Sequence, residues 1–247
     1  MISTKALARI GGLLYLIVAV GGTFAEAVRT NVNVSGNAAA TAANIVHHAT
    51  LVRMSFVADL VDFVCFLGVG LILYAILRQV NRPAAVAMLT INAVSVAMQA
   101  LNMLSQLGAL LVATNPAFTA GWSPGASHSL VLLLLEMHRQ GYLIAQIFFG
   151  GYLLPLGFLV YKSGFFPRAL GVILGVAGVG YLADIVAIHA SAGFQSNVAI
   201  YFALIGGLGE LVFLLWLLIK GANVPAEEAL RRNRPTSSKP LEVGATA

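Results

Sequence analysis

Long apolar runs, separated by short polar interruptions, dominate the chain. Six of these runs approach or exceed the roughly 20 residues that a helix needs to cross the hydrocarbon core of a bilayer. They are far longer than the strands of a membrane β-barrel and lack the alternation of such strands. The pattern therefore predicts an all-α fold, a polytopic membrane bundle of six transmembrane helices. The predicted spans are about 7–25, 54–77, 84–112, 141–161, 168–189 and 198–219.

The segments outside these runs complete the predicted organisation. Residues 1–222 form one transmembrane domain, and the polar, proline-containing segment 223–247 is expected to be a disordered tail. In the first external loop, Asn37 precedes Ala38–Ile45 as an N-cap residue, which predicts a short helix there. A further apolar piece precedes the fourth span, so we expect a bend near Gly141 or a separate interfacial helix.

Composition and charge agree with this interpretation. The chain has 247 residues, 59% of them hydrophobic and 9% charged, with a mean hydropathy of +0.90. A soluble domain carries about a quarter charged residues, so the composition excludes that class. The single cysteine, Cys65, rules out an intrachain disulfide and a metal cluster made of cysteines alone.

The basic residues predict the orientation of the bundle. Most of them fall at the N-terminus, in the loops after the second and fourth spans, and in the tail. Because cytoplasmic loops are enriched in Lys and Arg, both termini are expected in the cytoplasm. Lys5 and Arg9, followed by an apolar stretch and the small-residue pattern at Ala25 and Ala27, leave a cleaved signal peptide as an alternative. Cleavage would leave five spans.

A row of polar side chains runs along the third span. The residues are three or four positions apart, so they share one face of the helix. Amides lose hydrogen bonds when they face acyl chains, and the row is therefore expected to face the bundle interior. The residues of this row either form hydrogen bonds between helices or line a water-filled cavity. The residues are Asn92, Ser95, Gln99, Asn102 and Gln106.

Most of the charges within the predicted spans lie in the outer half of the membrane. Asp59 and Asp62 share a helix face and are expected to pair with Arg29, Arg53 or Arg139. Such a set is either an ion-pair network that holds helices together or an outward-facing polar cavity for a small solute or cation. The complete set is Glu26, Arg29, Arg53, Asp59, Asp62, Glu136, Arg139 and Asp184.

Glu210 differs from these groups because it lies near the predicted midplane of the bilayer, with no arginine at a matching depth. One interpretation is a protonated side chain that bonds to the amides of the third span. The other is a proton- or cation-binding carboxylate of the kind found in transporters.

The sequence gives little support for an enzyme. It contains no metalloprotease, nucleophile-elbow, Walker or dinucleotide motif. No catalytic residue, cofactor or metal site is assigned, although the five histidines and the outer aspartates keep an intramembrane metal-dependent hydrolase as an alternative. The histidines are His47, His48, His128, His138 and His189.

Several stretches together resemble a known family. They are ARIGGLLYLI, FAEAVR, NAAATAANI, RMSFVAD, LYAILRQVNRP, YKSGFFPRALGVILGVAGVGYLAD and GELVFLLWLLIKG. In this order they resemble the bacterial integral membrane proteins grouped as domain of unknown function 4386, over nearly the whole chain to about Gly221. The resemblance implies a small multi-span protein without an assigned activity. Glu26, Arg29, Arg53, Asp59, Asp184 and Glu210 fall within the matching motifs. The chain departs from the family pattern at Asn37 and Phe66.

The leading hypothesis is an integral protein of a bacterial cytoplasmic (inner) membrane that binds or translocates a small polar or cationic solute. The alternative is a structural or partner-stabilising protein whose buried charges serve folding only. The expected partners are membrane lipids and a small-molecule or cation ligand, and no nucleic acid is expected. The oligomeric state is not predicted. The candidate ligand- or ion-binding residues are Glu26, Arg29, Arg53, Asp59, Asp62, Gln99, Asn102, Arg139, Asp184 and Glu210.

Overall fold

The described residues form seven α-helices. The computed structural model describes residues 3–190 and 199–223, and side chains within 3–188 and 206–223. The helices are α1 (Thr4–Val32), α2 (Ala38–His47), α3 (Ala49–Leu77), α4 (Arg82–Thr114), α5 (Pro124–Ser163), α6 (Arg168–Ala190) and α7 (Ala199–Ile219). A short 3-10 turn, Pro116–Phe118, lies between α4 and α5. Since no strand occurs in the described ranges, the all-α prediction is confirmed.

Within the residues whose side chains are described, five helices are long and apolar enough to cross a bilayer. They are α1, α3, α4, α5 and the first 21 residues of α6, Arg168–Ile188. The apolar part of α7 whose side chains are described, Gly206–Ile219, is shorter. The chain is therefore a helical integral membrane protein. Most of the tail predicted for residues 223–247 lies outside the described residues.

Local sequence signals set the helix ends. Ser3, Asn37, Asn81 and Ser123 each accept a hydrogen bond from the backbone N–H group three residues later, as N-cap residues do. The short external helix expected after Asn37 is thereby confirmed as α2. Gly164 follows α5 with a φ of 68°, a conformation that a residue with a Cβ atom rarely adopts.

The fourth predicted span corresponds to a much longer helix. α5 has 40 residues and runs without interruption through Gly141 and Pro155. The expectation of a separate interfacial helix before the span is therefore wrong. Gly141 instead makes room for a neighbour, because a Cβ atom there would overlap the carboxamide of Asn102 in α4.

Close helix contacts at glycine organise one side of the bundle. A Cβ atom on Gly171 of α6 would lie 2.6 Å from the carbonyl oxygen of Gly157 in α5, and one on Gly178 would lie 2.8 Å from that of Gly150. Small residues at these positions allow the two helices to come close together. α6 also packs on α7, and α1 packs between α3 and α7.

Two apolar cores occupy the two ends of the bundle. The larger one surrounds Leu73, Leu156 and Phe213, near the end of the bundle that carries the α3–α4 and α5–α6 loops. The smaller one includes Val32, Ile45 and other residues beneath the short helix α2. One polar group described next includes Tyr15 and Tyr152 of the larger core, and another lies at the margin of the smaller core.

Candidate functional site

A buried carboxyl group lies at the meeting point of four helices. The side chain of Glu210 in α7 accepts hydrogen bonds from Tyr15 of α1, Tyr152 of α5 and Tyr181 of α6. The Tyr152 and Tyr181 hydroxyl oxygens each lie 3.1 Å from a carboxyl oxygen of Glu210. The hydroxyl oxygens of Tyr15 and Tyr152 are also 2.9 Å apart. We call these four residues the tyrosine–glutamate cluster.

Packing explains how the third tyrosine reaches Glu210. Gly206 lies one turn before Glu210 on α7, and a Cβ atom there would stand 2.6 Å from the ring of Tyr181. Any larger residue at this position would therefore displace the ring. Gly206 thereby makes room for a hydrogen-bond donor to the carboxyl group of Glu210.

Aromatic rings surround the tyrosine–glutamate cluster. Phe66 of α3 meets the Tyr152 ring edge to face at 5.3 Å between centroids, and Phe149 meets the Tyr181 ring at 5.2 Å. Glu210 is 7% exposed, and none of the described basic side chains forms an ion pair with it. A carboxyl group in such dry surroundings interacts strongly with its few hydrogen-bond donors.

The structure corrects the partner expected for Glu210. Its hydrogen-bond donors are tyrosines and not the amides of α4, so the first of the two interpretations, a bond to that row, is wrong. Sequence reasoning missed all three tyrosines. The available signal was that the three tyrosines lie inside three different apolar runs, at depths close to that of Glu210. Tyrosine is common in membrane helices, however, and does not by itself indicate a site.

A second polar group, the outer charged cluster, joins α1, α3 and α4. Arg29 contacts the carboxylate of Asp59 at 2.5 Å and that of Glu26 at 3.0 Å, and it donates to the side-chain oxygen of Gln106 at 3.4 Å. The Arg29 and Asp59 side chains are 17% and 8% exposed, whereas Glu26 lies at the surface. Arg29 is therefore the arginine that pairs with Asp59.

Asp62 lies one turn deeper than Asp59, against α1. Its carboxyl group fills the space where a Cβ atom on Gly21 would stand. The Oδ1 atom is buried and has no hydrogen-bond partner among the described side chains. The predicted pairing of Asp62 with an arginine is therefore absent from the structure.

Three further candidate residues lie apart from this cluster. Arg53 is exposed, and no ion pair links it to the side chains that the structure describes. Arg139 pairs at 2.6 Å with Glu136 on the exposed side of α5, so neither arginine meets Asp59 or Asp62. Asp184 of α6 accepts a hydrogen bond of 3.1 Å from Gln146 of α5.

The polar row of α4 faces inward, as expected. Asn92, Ser95 and Gln106 are buried. Asn102 donates to the backbone oxygen of His138 at 2.8 Å and thereby links α4 to α5. Asn92 and Ser95 have buried side-chain atoms without a partner in the described part of the chain, and Gln99 is half-buried. The row thus combines interhelical bonds with unused hydrogen-bonding capacity.

The cavity beside the outer charged cluster is small. It measures about 10 Å³, which is room for about one water molecule. Arg29, Ser55 and Gln106 line it together with apolar side chains of α1, α2, α3, α4 and α5. The outer cluster is therefore closed to anything larger than water in this conformation.

The histidines do not assemble a metal site within the described residues, where no three His, Cys, Asp or Glu side chains converge. His138 packs against Asn102, and His47 and His48 contact each other edge to face. The side chain of His189 lies outside the part of the chain whose side chains are described.

The fold and these clusters define a class, the helical integral membrane proteins that carry charged and carboxyl groups between their helices. Within that class the chain belongs to a specific family. Residues 10–221 match the family described as Domain of unknown function (DUF4386), which confirms the resemblance found in the sequence.

One relative is an uncharacterized protein of Archaeoglobus fulgidus, to which the chain is 40% identical over 78 residues. The aligned part covers 32% of this chain and 44% of the relative, so the chain spans less than half of that protein. No solved structure matches the chain. Neither the family description nor the relative carries an activity.

Proposed function

We propose that this protein binds and translocates a small polar or cationic solute, and that Glu210 binds the proton that is coupled to this movement. The observation that carries the proposal is a buried carboxyl group with three tyrosine donors and no basic partner among the described side chains. An ionisable group at such depth is costly to bury and marks ion or proton pathways in membrane proteins.

The number of hydrogens in the tyrosine–glutamate cluster favours a proton as the bound ion. Four oxygen–oxygen contacts connect the four side chains of the tyrosine–glutamate cluster. The three phenol groups supply only three hydrogens, because each hydroxyl has one. A fourth hydrogen on Glu210 gives every contact its own hydrogen bond. When Glu210 is protonated, it donates to Tyr15 in place of accepting from it, Tyr15 donates to Tyr152, and Tyr152 donates to Glu210, which closes a ring.

A metal cation suits the same arrangement poorly. Hard cations such as Na⁺ and Ca²⁺ are bound by oxygen lone pairs from several directions. The tyrosine hydroxyls instead direct their hydrogens to the carboxyl group, which leaves a cation one carboxylate and few other ligands. The proposal therefore assigns the proton to Glu210 and the solute to a different place.

The outer charged cluster and the polar row of α4 are the proposed solute site. Asp62, Asn92 and Ser95 have buried polar atoms that lack partners, and these atoms supply hydrogen-bonding capacity. The cavity of about 10 Å³ is too small for a solute, so the proposal requires a second conformation in which the helices around Arg29 separate. Such alternation is general among transporters.

The proposed topology has six spans, with α7 as the sixth, in a bacterial cytoplasmic membrane. The described basic residues Lys5, Arg78, Lys162 and Lys220 lie at helix ends or loops on one end of the bundle, which we call the basic end. The positive-inside tendency places this end, and with it both termini, in the cytoplasm.

The test is a thermal-stability comparison of the purified protein in detergent. The parent and Glu210→Gln are measured across pH, Na⁺, K⁺ and a panel of small metabolites, with Glu136→Gln as a matched substitution on the exposed side of α5. A ligand that binds the folded state raises the melting temperature by mass action.

We expect acidification and one solute class to raise the melting temperature of the parent and of Glu136→Gln, but not that of Glu210→Gln. If no condition shifts the parent, and Glu210→Gln changes only the baseline stability, the carboxyl group serves folding and the transport proposal is wrong.

A further inference from the structure

A second cavity opens at the basic end, far along the bundle from the outer charged cluster. It measures about 550 Å³, within the range of about 300–1,000 Å³ that is usual for ligand pockets. The start of α1, the α5–α6 loop and the end of α7 enclose it. The lining residues are Lys5, Gly164, Phe165, Phe166, Pro167, Trp216, Lys220, Gly221, Ala222 and Asn223.

Backbone contacts fix the three segments that form this cavity. The N–H group of Asn223 donates to the carbonyl oxygen of Phe165 at 2.9 Å, which ties the end of α7 to the α5–α6 loop. Gly221 has a φ of 69°, and a Cβ atom there would lie 3.0 Å from the carbonyl oxygen of Lys5. Phe165 and Phe166 are buried beneath the cavity and form part of the larger core.

The charge around the cavity is positive. Lys5 and Lys220 are both exposed and both line it, and no acidic side chain does. Arg9, one turn after Lys5, donates to the carbonyl oxygen of Ile219 at 3.0 Å and adds charge beside the cavity. The acidic residues of the described ranges all lie elsewhere, namely Glu26, Asp59, Asp62, Glu136, Asp184 and Glu210.

The cavity also borders the surface that faces lipid. Trp216 forms one wall and is half-buried, which suits the interfacial level at which tryptophan is enriched. Next to it, Ile219 is 61% exposed and Leu215 also presents its side chain outward. A molecule bound here can therefore place a charged group among the lysines and an apolar chain along α7.

We infer that this cavity binds the phosphate headgroup of an anionic membrane lipid. Two lysines attract the phosphate, Trp216 packs at headgroup level, and the apolar face of α7 receives an acyl chain. Basic pockets between helices at the cytoplasmic side of a membrane are suited to such headgroups. The inference stands apart from the proposed transport function, because it concerns different residues at the opposite end of the bundle.

The experiment uses Trp216 as a reporter. The chain has two tryptophans, so the full-length variant Trp122→Phe leaves Trp216 as the single emitter. This protein is placed in phosphatidylcholine nanodiscs that contain a small fraction of phosphatidylglycerol with brominated acyl chains. Bromine quenches tryptophan only at short range, so quenching reports how much anionic lipid lies beside α7.

We expect the quenching of Trp216 to be much stronger than the bulk fraction of anionic lipid in the bilayer would produce, because anionic lipid is enriched beside α7. In the same background, the double variant Lys5→Gln, Lys220→Gln lowers this enrichment roughly tenfold, since each lysine near the surface contributes to anionic-lipid attraction. The matched double variant Arg78→Gln, Arg82→Gln removes two charges from the α3–α4 turn at the same end, outside the cavity, and keeps the enrichment.

Three outcomes overturn the inference. Quenching that follows the bulk lipid fraction means that no lipid site exists. Equal loss in both double variants means that only the general charge of this end attracts lipid. Quenching that follows the bulk lipid fraction, together with a shift of Trp216 emission on addition of inorganic phosphate, means that the cavity binds free phosphate and not a lipid.

The chain itself supplies one competing occupant. Glu227 and Glu228 follow Asn223 by four and five positions in the sequence and are acidic. If the full-length variant Glu227→Gln, Glu228→Gln acquires lipid enrichment that its parent lacks, the tail occupies the cavity and the lipid is displaced. If enrichment is the same in both proteins, the lipid remains the occupant.

Discussion

Tyr15 and Tyr152 lie 137 positions apart in the chain, yet their hydroxyl oxygens are 2.9 Å apart beside one carboxyl oxygen of Glu210. Two phenols and a carboxyl group at such distances share hydrogens, and each holds the others in place. The contact joins α1, α5 and α7, so it links distant parts of the chain near the middle of the bundle.

The first prediction concerns the hydrogen on Glu210. We expect the infrared spectrum of the parent to contain a carbonyl band of a protonated carboxylic acid that is absent from Glu210→Gln at neutral pH. In Tyr15→Phe the band moves to higher frequency, because the carboxyl group loses a hydrogen-bond partner. If Glu210→Gln lacks only carboxylate bands of the parent spectrum and no carboxylic acid band, Glu210 is ionised. The closed ring of hydrogen bonds through Glu210, Tyr15 and Tyr152 is then wrong.

The second prediction concerns the ion pair between Arg29 and Asp59. Arg29→Met leaves Asp59 without its cation, and we expect a loss of about 2–4 kcal/mol in unfolding free energy, at or below the usual cost of breaking a buried pair. Arg139→Met removes an exposed pair with Glu136, and its expected cost is about 0–1 kcal/mol. Denaturant unfolding in mixed micelles measures both.

A double variant serves as the control for this pair. Arg29→Met combined with Asp59→Leu removes both charges, and we expect it to be more stable than Arg29→Met alone, because no buried charge remains unpaired. Equal stability of the single and double variants would mean that Asp59 finds another partner.

The third prediction distinguishes the two aspartates of α3. Asp62 has a buried oxygen without a partner, whereas Asp59 is held by Arg29. We therefore expect Asp62→Asn to leave the melting temperature unchanged or higher, and Asp59→Asn to lower it. A marked loss of stability in Asp62→Asn would show that this carboxylate binds a cation or an arginine in solution.

The fourth prediction uses two glycines of α6. A Cβ atom on Gly171 meets backbone atoms of α5 at 2.6 Å, while one on Gly175 meets nothing within 4 Å. We expect Gly171→Ala to cost about 1–3 kcal/mol by forcing the helices apart. Gly175→Ala is expected to be nearly neutral or slightly stabilising in the same unfolding assay, and the opposite order would contradict the packing of α5 on α6.

The all-helical membrane fold and the inward position of the polar groups were predictable because they follow from strong, local physical costs. The bilayer requires long apolar runs, and the charge at Asp59 cannot face lipid. Even so, the sequence did not distinguish Arg29 from Arg53 as the partner of Asp59. The two arginines lie at similar depths, and the side of the bundle that each faces depends on how α1 and α3 pack.

The tyrosine–glutamate cluster and the length of α5 could not be predicted from the sequence, and the reasons differ. Tyr15, Tyr152 and Tyr181 are separated widely in the chain, and only the packing of four helices brings them to Glu210. In α5 the polar group around Glu136 and Arg139 interrupts the apolar run, although the backbone remains helical there. The end of an apolar run indicates where contact with lipid ends, but the helix can continue beyond it.

The uninterrupted course of α5 has a mechanical consequence. Its 40 residues extend about 60 Å at 1.5 Å per residue, twice the thickness of the hydrocarbon core, which is about 30 Å. The predicted span, 141–161, places the N-terminal part of α5, which we call the outer arm, outside the lipid. His138 on that arm lies about 21 Å along the axis from Tyr152. An antibody fragment or another molecule bound to the outer arm can tilt α5. Because no loop interrupts the helix between His138 and Tyr152, such a tilt moves the Tyr152 hydroxyl relative to Glu210.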